Sequence, residues 1–357
     1  MTRLAFYAPM KPPSHPIPSG DRAMARALMQ ALELGGARVD LASDLRVYDR
    51  AGDAGVQAQV MQVAAAETAR VIAEGRAADW QAFVTYHCYY KAPDLIGPTV
   101  SRALGIPYIL IEATRARKRL GGPWDAFARA AEASCDAAQA ICYLTARDAE
   151  GLRQYTPEGQ SLVHLRPFLP RTDLPARSSR RGPMLSVGMM RSGDKLGSYR
   201  IIAETLALLE TPHWQLEIAG DGQDRTLVEA LMEPFGDRVR FLGQLDADGL
   251  NAAYARASLL FWPGVNEAFG LSYLEAQAHG LPVVAQDRPG VRDVLAPGDH
   301  PAPETGAAAL AARLTDLLNN PARRDTRGAE ASAHVATHHL MPAASWTLRQ
   351  TLKAVLP

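Results

Sequence analysis

The chain has 357 residues, and its 38 Lys and Arg balance 38 Asp and Glu, so the formal net charge is zero. That length favours two domains of about 150–180 residues, and the charge balance excludes bulk electrostatic attraction to nucleic acid or an anionic membrane, leaving only local patches. A composition that is 47% hydrophobic and 21% charged belongs to a folded chain, not a disordered one.

In chain order, residues 4–8 form a short apolar run, which reads as a first strand. The run is too short for a signal peptide and lacks a small-residue cleavage site. A proline-rich loop leads to Ser19-Gly20-Asp21, followed by apolar residues at helical spacing over 23–34 and a Gly35-Gly36 stop. Strands are expected at 39–42, 82–86, 108–111 and 140–143, with helices between them, the first an Ala-rich one over 56–73. This alternation predicts βαβ units, hence a parallel sheet covered by helices on both faces.

Around 167–183 the text changes to RPFLPRTDLPARSSRRGP without periodicity, as expected of an interdomain linker. The βαβ rhythm then restarts. Strands are expected at 184–187, 215–219, 239–242, 258–262 and 282–285, helices at 198–209 and from about Phe269, an amphipathic helix at 307–318 and a last helix at 345–355. The fold class is therefore α/β, with two Rossmann-like doubly wound domains facing across a cleft. An N-terminal domain covers 1–168, a linker 169–183, a second domain 184–340 and a C-terminal helical segment 341–357. Cys88, Cys135 and Cys142 form no CxxC pair, and such sparse cysteines read as reduced thiols of a cytoplasmic protein. No run of about 18 apolar residues occurs.

The densest chemical signal lies in LLFWPGVNEAFGLSYLEAQAHGLPVV, residues 259–284. A buried strand enters a Pro-Gly turn, and Glu267 and Glu275 then stand eight residues apart around a helix start. The amides of Phe269, Gly270 and Leu271 lie at the positive end of that helix and suit a phosphate. Ionised carboxylates suit sugar hydroxyls, because each accepts several O–H hydrogen bonds. One segment thus offers phosphate donors between two hydroxyl acceptors, the features a nucleotide sugar requires. Asp246-Ala-Asp248 spells DxD, but its place before an amphipathic stretch reads as a helix N-cap, not a metal site. Trp262 and Trp346 read as packing residues, and His338-His339 as structural.

This segment resembles the E-x7-E motif of retaining glycosyltransferases of the GT-B fold, family four. IAGDGQDRTLVEAL, RVRFLGQLDADGLNAAYARASLLFWPG and PVVAQDRPGVRDVLAPG are similar to that family's donor domain, the last with Asp293 where Glu is usual. The N-terminal half is similar only in pattern. The resemblance implies transfer of a hexose from a nucleoside-diphosphate sugar to an acceptor hydroxyl with retention of configuration, with no metal or other cofactor required. It implies Glu267 on the hexose, Glu275 on the ribose, the amides of Phe269, Gly270 and Leu271 on the distal phosphate, and Leu242, Gly243 and Gln244 along the base. In SVGMMRSGDKLGSYR, Lys195 matches the family lysine, whereas Met189 stands where an Arg is usual, leaving Arg191 to reach the phosphate. The resemblance also implies Gly20 at the donor and the segment 341–357 packed back on the N-terminal domain.

On the acceptor side, the strand PYILIEATRARKR carries Glu112 near the place of a family His. Glu112 or His87 would act there, with Arg115 and Lys118 of the basic run 115–119 near an acceptor phosphate or anionic headgroups. Expected partners are the nucleotide sugar and a sugar, lipid-linked or small-molecule acceptor, with no nucleic acid. The basic run leaves room for peripheral contact with the inner membrane face. A non-catalytic or epimerase-type nucleotide-sugar-binding protein of the same fold is the alternative.

Overall fold

The computed structural model describes residues 1–17 and 19–356. Pro18, in the proline-rich loop, and Pro357, the end of the expected C-terminal segment, lie outside the described residues. The chain divides into two compact units: Met1–Arg166 together with the segment from Met341 onward, and Pro167–Leu340.

The first unit alternates strand and helix: β1 (Arg3–Tyr7), α1 (Gly20–Leu34), β2 (Arg38–Ser43), α2 (Ala54–Ala78), β3 (Ala82–Cys88), α3 (Gly97–Leu104), β4 (Tyr108–Ala113), α4 (Asp125–Ala137), β5 (Ala140–Tyr143), α5 (Ala146–Arg153) and β6 (Ser161–His164). All six strands are parallel, in the order β2-β1-β3-β4-β5-β6. The inner strands are buried along almost their whole length, as a sheet covered on both faces demands. Edge strand β6 has no fully buried position, and its SLVH text carries no apolar run, which is why no strand was expected there.

The second unit repeats the pattern with β7 (Met184–Val187), α6 (Asp194–Ala207), β8 (Leu216–Ala219), α7 (Arg225–Met232), β9 (Val239–Gly243), α8 (Ala247–Arg256), β10 (Leu260–Phe261), α9 (Leu271–Ala278), β11 (Val283–Val284), α10 (Gly306–Asn319) and α11 (Pro321–His338). Its five strands are parallel, in the order β11-β10-β7-β8-β9. The order reverses at β7, so the carboxyl ends of β7 and β10 frame the switch point where open α/β sheets bind ligands. The core beneath is dense, with Tyr199, Tyr254, Phe261, Trp262 and Tyr273 almost wholly buried.

The segment expected as a linker is packed on this second unit. Leu169 bridges to Leu340, the Ser178 hydroxyl donates to the Ala257 carbonyl at 2.5 Å, and Arg180 Nε donates to Asp325 at 2.7 Å. After Leu340 the chain rejoins the first unit as α12 (Met341–Val355), which packs along α1 with Ser345 close to Gly35. No helix among the described residues is long and apolar enough to cross a membrane.

Candidate functional site

Glycine sets the backbone of the second unit's switch point. Gly220, at φ +148°, follows β8, and a Cβ there would overlap the carbonyl oxygen of Gly188 after β7. The two loops run in backbone contact, with Gly188 N donating to Ala219 O at 3.0 Å and Met190 N to Asp221 O at 2.9 Å. Beside them lies a cavity of about 310 Å³, lined by Gly188, Met189, Lys195, Gly220, Gln244 and Leu245 among others. Gln244 thus reaches the cavity. Leu242 packs against the core, and the Gly243 carbonyl accepts from Gly220 N at 2.8 Å.

The loop from β10 to α9 is held from several directions. Tyr273 Oη donates to Trp262 O at 3.1 Å, Val265 N to Ser198 Oγ at 3.1 Å, and Asn266 Nδ2 to Asp194 at 2.9 Å. Gly290, at φ +84°, lets its own loop press on the Ala268 carbonyl, which any side chain would overlap. This clamping fixes Glu267. Its Oε1 accepts from Trp262 Nε1 at 2.8 Å and from Lys195 Nζ, and the lysine nitrogen lies 5.3 Å from the Trp262 ring centroid. Lys195, Trp262 and Glu267 therefore form one cluster at the carboxyl ends of β7 and β10. Trp262, expected only to pack, also carries a polar bond to the candidate catalytic carboxylate. The other tryptophan expected to pack, Trp346, is 65% exposed.

Leu271 opens α9, so its N–H has no intrahelical acceptor. Phe269 and Leu271 rest their side chains on the core, and Gly270 is the cap, at φ +73°. Glu275 takes different partners from Glu267. It accepts from Tyr254 Oη at 2.9 Å, and burial raises its carboxyl above the usual range against the Tyr254 hydrogen bond and the Arg171 charge. Tyr254 in turn stacks on His279. Arg191 is exposed in the loop before α6. Asp246 caps α8, accepting from Gly249 N at 2.8 Å.

In the first unit, His87 and Glu112 stand side by side, because Tyr86 pairs with Ile111 and Cys88 with Ala113. Both are left-handed without being glycine, at φ +62° and φ +57°. Such backbone persists only where surrounding structure enforces it, and it clusters at functional sites. His87 Nδ1 lies 3.1 Å from Asp21 Oδ1, in the first turn of α1. Burial works against charge on His87, but the Asp21 hydrogen bond with the Glu112, Asp21 and Asp148 charges lifts its pKa above the ordinary value. The same bond holds the Asp21 carboxyl down. Burial raises Glu112, opposed by His87 and a hydrogen bond from Tyr86. Nothing in the sequence flagged Asp21, whose partner is 66 residues away.

Gly20 is the first residue of α1, and an added Cβ would meet nothing within 4 Å. Arg115 does not share the exposure of the basic run. Its side chain is 3% exposed and paired with Glu132 at 2.8 Å and Asp136 at 2.7 Å, so it anchors α4 instead of offering a free charge to an acceptor. Lys118 is exposed. No group of three or more His, Cys, Asp or Glu among the described residues could hold a metal ion.

Residues 184–320 match the family model of the group 1 glycosyl transferases. The matched segment spans β7 to α10 and includes Lys195, Trp262, Glu267 and Glu275. Similar curated proteins include a phosphatidyl-myo-inositol mannosyltransferase of Mycobacterium leprae, 39% identical over 33% of this chain and 33% of its own. A D-inositol 3-phosphate glycosyltransferase of Salinispora tropica is 44% identical over 27% of this chain and 21% of its own. The chain spans about a third of the length of the first of these relatives. Among solved structures, a sucrose-phosphate synthase of Thermosynechococcus elongatus superposes with a TM-score of 0.71 at 17% identity, covering 99% of both chains. An Anabaena protein in complex with UDP-glucose superposes at 0.67 and 14% identity, covering 99% of this chain and 100% of that one. At such identities the likeness establishes the fold, two Rossmann-like units of the GT-B type.

Proposed function

We propose that the chain is a retaining hexosyltransferase that moves a hexose from a nucleoside-diphosphate sugar to the hydroxyl of a sugar, lipid-linked or small-molecule acceptor. The observation that carries this reading is the Lys195–Trp262–Glu267 cluster, set at the sheet's switch point on a glycine-shaped backbone beside the cavity. The matched family model and the mannosyltransferase relative support it, as does a neighbour of the same fold that holds UDP-glucose.

In this reading the nucleoside lies along Gln244, and the Glu275 carboxylate accepts from the ribose hydroxyls. The diphosphate meets Lys195, Arg191 and the amides of Phe269, Gly270 and Leu271, so no metal is called on to neutralise it. Glu267, freed from Lys195 as that lysine turns to the diphosphate, accepts from the hexose hydroxyls, while Trp262 Nε1 keeps the carboxylate aimed. The bond from the anomeric carbon to the diphosphate oxygen breaks as the acceptor oxygen bonds to that carbon on the same face. The acceptor proton passes to the departing diphosphate. The acceptor side of this reading is assigned to the first unit's His87, hydrogen-bonded to Asp21, and Glu112.

The test is a panel of nucleotide sugars with release of nucleoside diphosphate as the readout, run on the native chain and on Glu267→Ala. The variant is expected to retain nucleotide binding and lose turnover. Unaltered turnover in the variant refutes the site. Tight nucleotide binding with no turnover on any donor by the native chain favours the non-catalytic binder instead.

A further inference from the structure

A ladder of rings leaves the His87 end of β3. The His87 and Tyr89 rings are 5.0 Å apart, Tyr89 and Tyr90 5.6 Å, and Tyr90 and Trp124 5.5 Å with perpendicular planes. Two cations converge on its far end. Arg119 Cζ lies 4.9 Å from the Tyr90 centroid and 5.6 Å from that of Trp124, and Lys91 Nζ lies 5.6 Å and 5.4 Å from the same two rings. Lys91 is half-buried and Arg119 exposed, and among the described residues neither has a carboxylate partner. Aromatic faces attract a single cation, but two like charges over one ring pair repel each other unless an anion lies between them.

Trp124 is also seated with unusual care for a half-buried indole. Gly52, at φ +79°, places its Cα where a side chain would strike Pro123 and the Trp124 ring. Gln57 Nε2 donates to Pro123 O at 2.9 Å and to Asp49 Oδ2 at 2.7 Å, while Trp124 Nε1 donates to Asp49 O at 3.3 Å. The indole edge is therefore fixed from behind, and its orientation does not depend on a ligand.

We propose that Tyr90, Lys91, Arg119 and Trp124 form an acceptor subsite for a phosphate-bearing sugar or polyol. The two cations take the phosphate oxygens, and the C–H face of the ring packs on the aromatic ladder. A hydroxyl at the other end of that ring then points along Tyr89 towards His87. This deepens the transferase reading and rests on it, by naming the chemical class of acceptor. The phosphate can be that of a soluble sugar phosphate or of a lipid headgroup.

Calorimetric titration of the full chain with glucose 6-phosphate, inorganic phosphate and UDP or GDP tests the subsite, alongside flotation with phosphatidylglycerol and phosphatidylcholine vesicles. The K91Q/R119Q variant is compared with R102Q/K353Q, which removes the same charge from exposed positions elsewhere on the unit. If the source is soluble, K91Q/R119Q weakens glucose 6-phosphate at least about tenfold while nucleotide binding, which also reports correct folding, is unchanged. If the source is a lipid, K91Q/R119Q loses flotation with phosphatidylglycerol vesicles, inorganic phosphate competes, and R102Q/K353Q still floats. Equal weakening by both variants, or none by K91Q/R119Q in either arm, overturns the proposal while leaving the transferase reading intact. Failure of the native chain to bind any nucleoside diphosphate instead removes the transferase reading.

Discussion

The Lys195–Glu267 pair is the contact on which the proposed chemistry turns, and its strength can be worked out before any substrate is known. The two side chains are 21% and 13% exposed, so solvent screens them less than a surface pair. At an effective dielectric of about 20, unit charges about 4 Å apart attract by about 4 kcal/mol, and desolvation and ordering remove part of that. Hydrogen bonds to charged groups contribute about 1.5–3 kcal/mol net, so a coupling of about 2 kcal/mol is expected. A double-mutant cycle of K195M, E267Q and the double variant measures it. A chain of two units need not unfold in one step, so the readout is hydrogen exchange of peptides from β7 and β10, which reports opening of their own unit. Saturating nucleoside diphosphate should collapse the coupling, because Lys195 then answers to the diphosphate. Additivity within about 0.5 kcal/mol in the free protein refutes the pair, and a coupling unchanged by nucleotide refutes the exchange of partners.

Three further outcomes follow from the same geometry. Gly220→Ala forces a Cβ into the Gly188 carbonyl and should destabilise the C-terminal unit by at least about 2 kcal/mol, read by the same exchange experiment. Met189 is 56% exposed and lines the cavity beside Lys195, so Met189→Arg should tighten nucleoside diphosphate binding by about tenfold in calorimetry, and unchanged affinity refutes its placement. The raised His87 pKa contributes stability that is complete below the ordinary imidazole value of about 6.5 and is lost as pH rises through the folded value. The lowered Asp21 pKa contributes stability that is complete above about 3.9 and is lost as pH falls. Asp21→Asn should therefore flatten the exchange stability of the N-terminal unit at both flanks, and an unchanged profile counts against the ion pair.

The fold was legible because strands buried on both faces must be written as short apolar runs, and the helices between them need room to cross back. Legibility failed where burial was incomplete or the backbone was not free to pair. Edge strand β6 carries no buried residue, so no run marked it. The strand expected at 282–285 narrows to Val283–Val284, since Pro282 has no N–H to contribute to a ladder. The prolines and arginines of 167–183 suggested an interdomain linker, but the segment is packed on the second unit, with Arg180 bonded to Asp325 and to the Gly280 carbonyl.

In the site, what glycine and helix starts impose on the backbone was readable, whereas side-chain pairing across the fold was not. Glu267 stood out through its own neighbours, yet the lysine that meets it is 72 residues earlier, and Trp262 looked like packing because an indole in an apolar run has no way to announce a hydrogen bond. The same reason explains Arg115. In RARKR it is one basic residue among several, and only the approach of α4 with Glu132 and Asp136 separates it from the exposed charges beside it. His87 and Glu112 are the sharpest case. Left-handed backbone is written into a sequence only when glycine, or less often Asn or Asp, supplies it. Here the sheet imposes it on a histidine and a glutamate at the carboxyl ends of adjacent strands. His87→Gly would relax this strain and remove the imidazole bonded to Asp21. If His87→Gly leaves the unit as stable as the native chain or more so, the strain at His87 is held for its side chain, and a marked loss of stability instead assigns it to the imidazole's bond with Asp21.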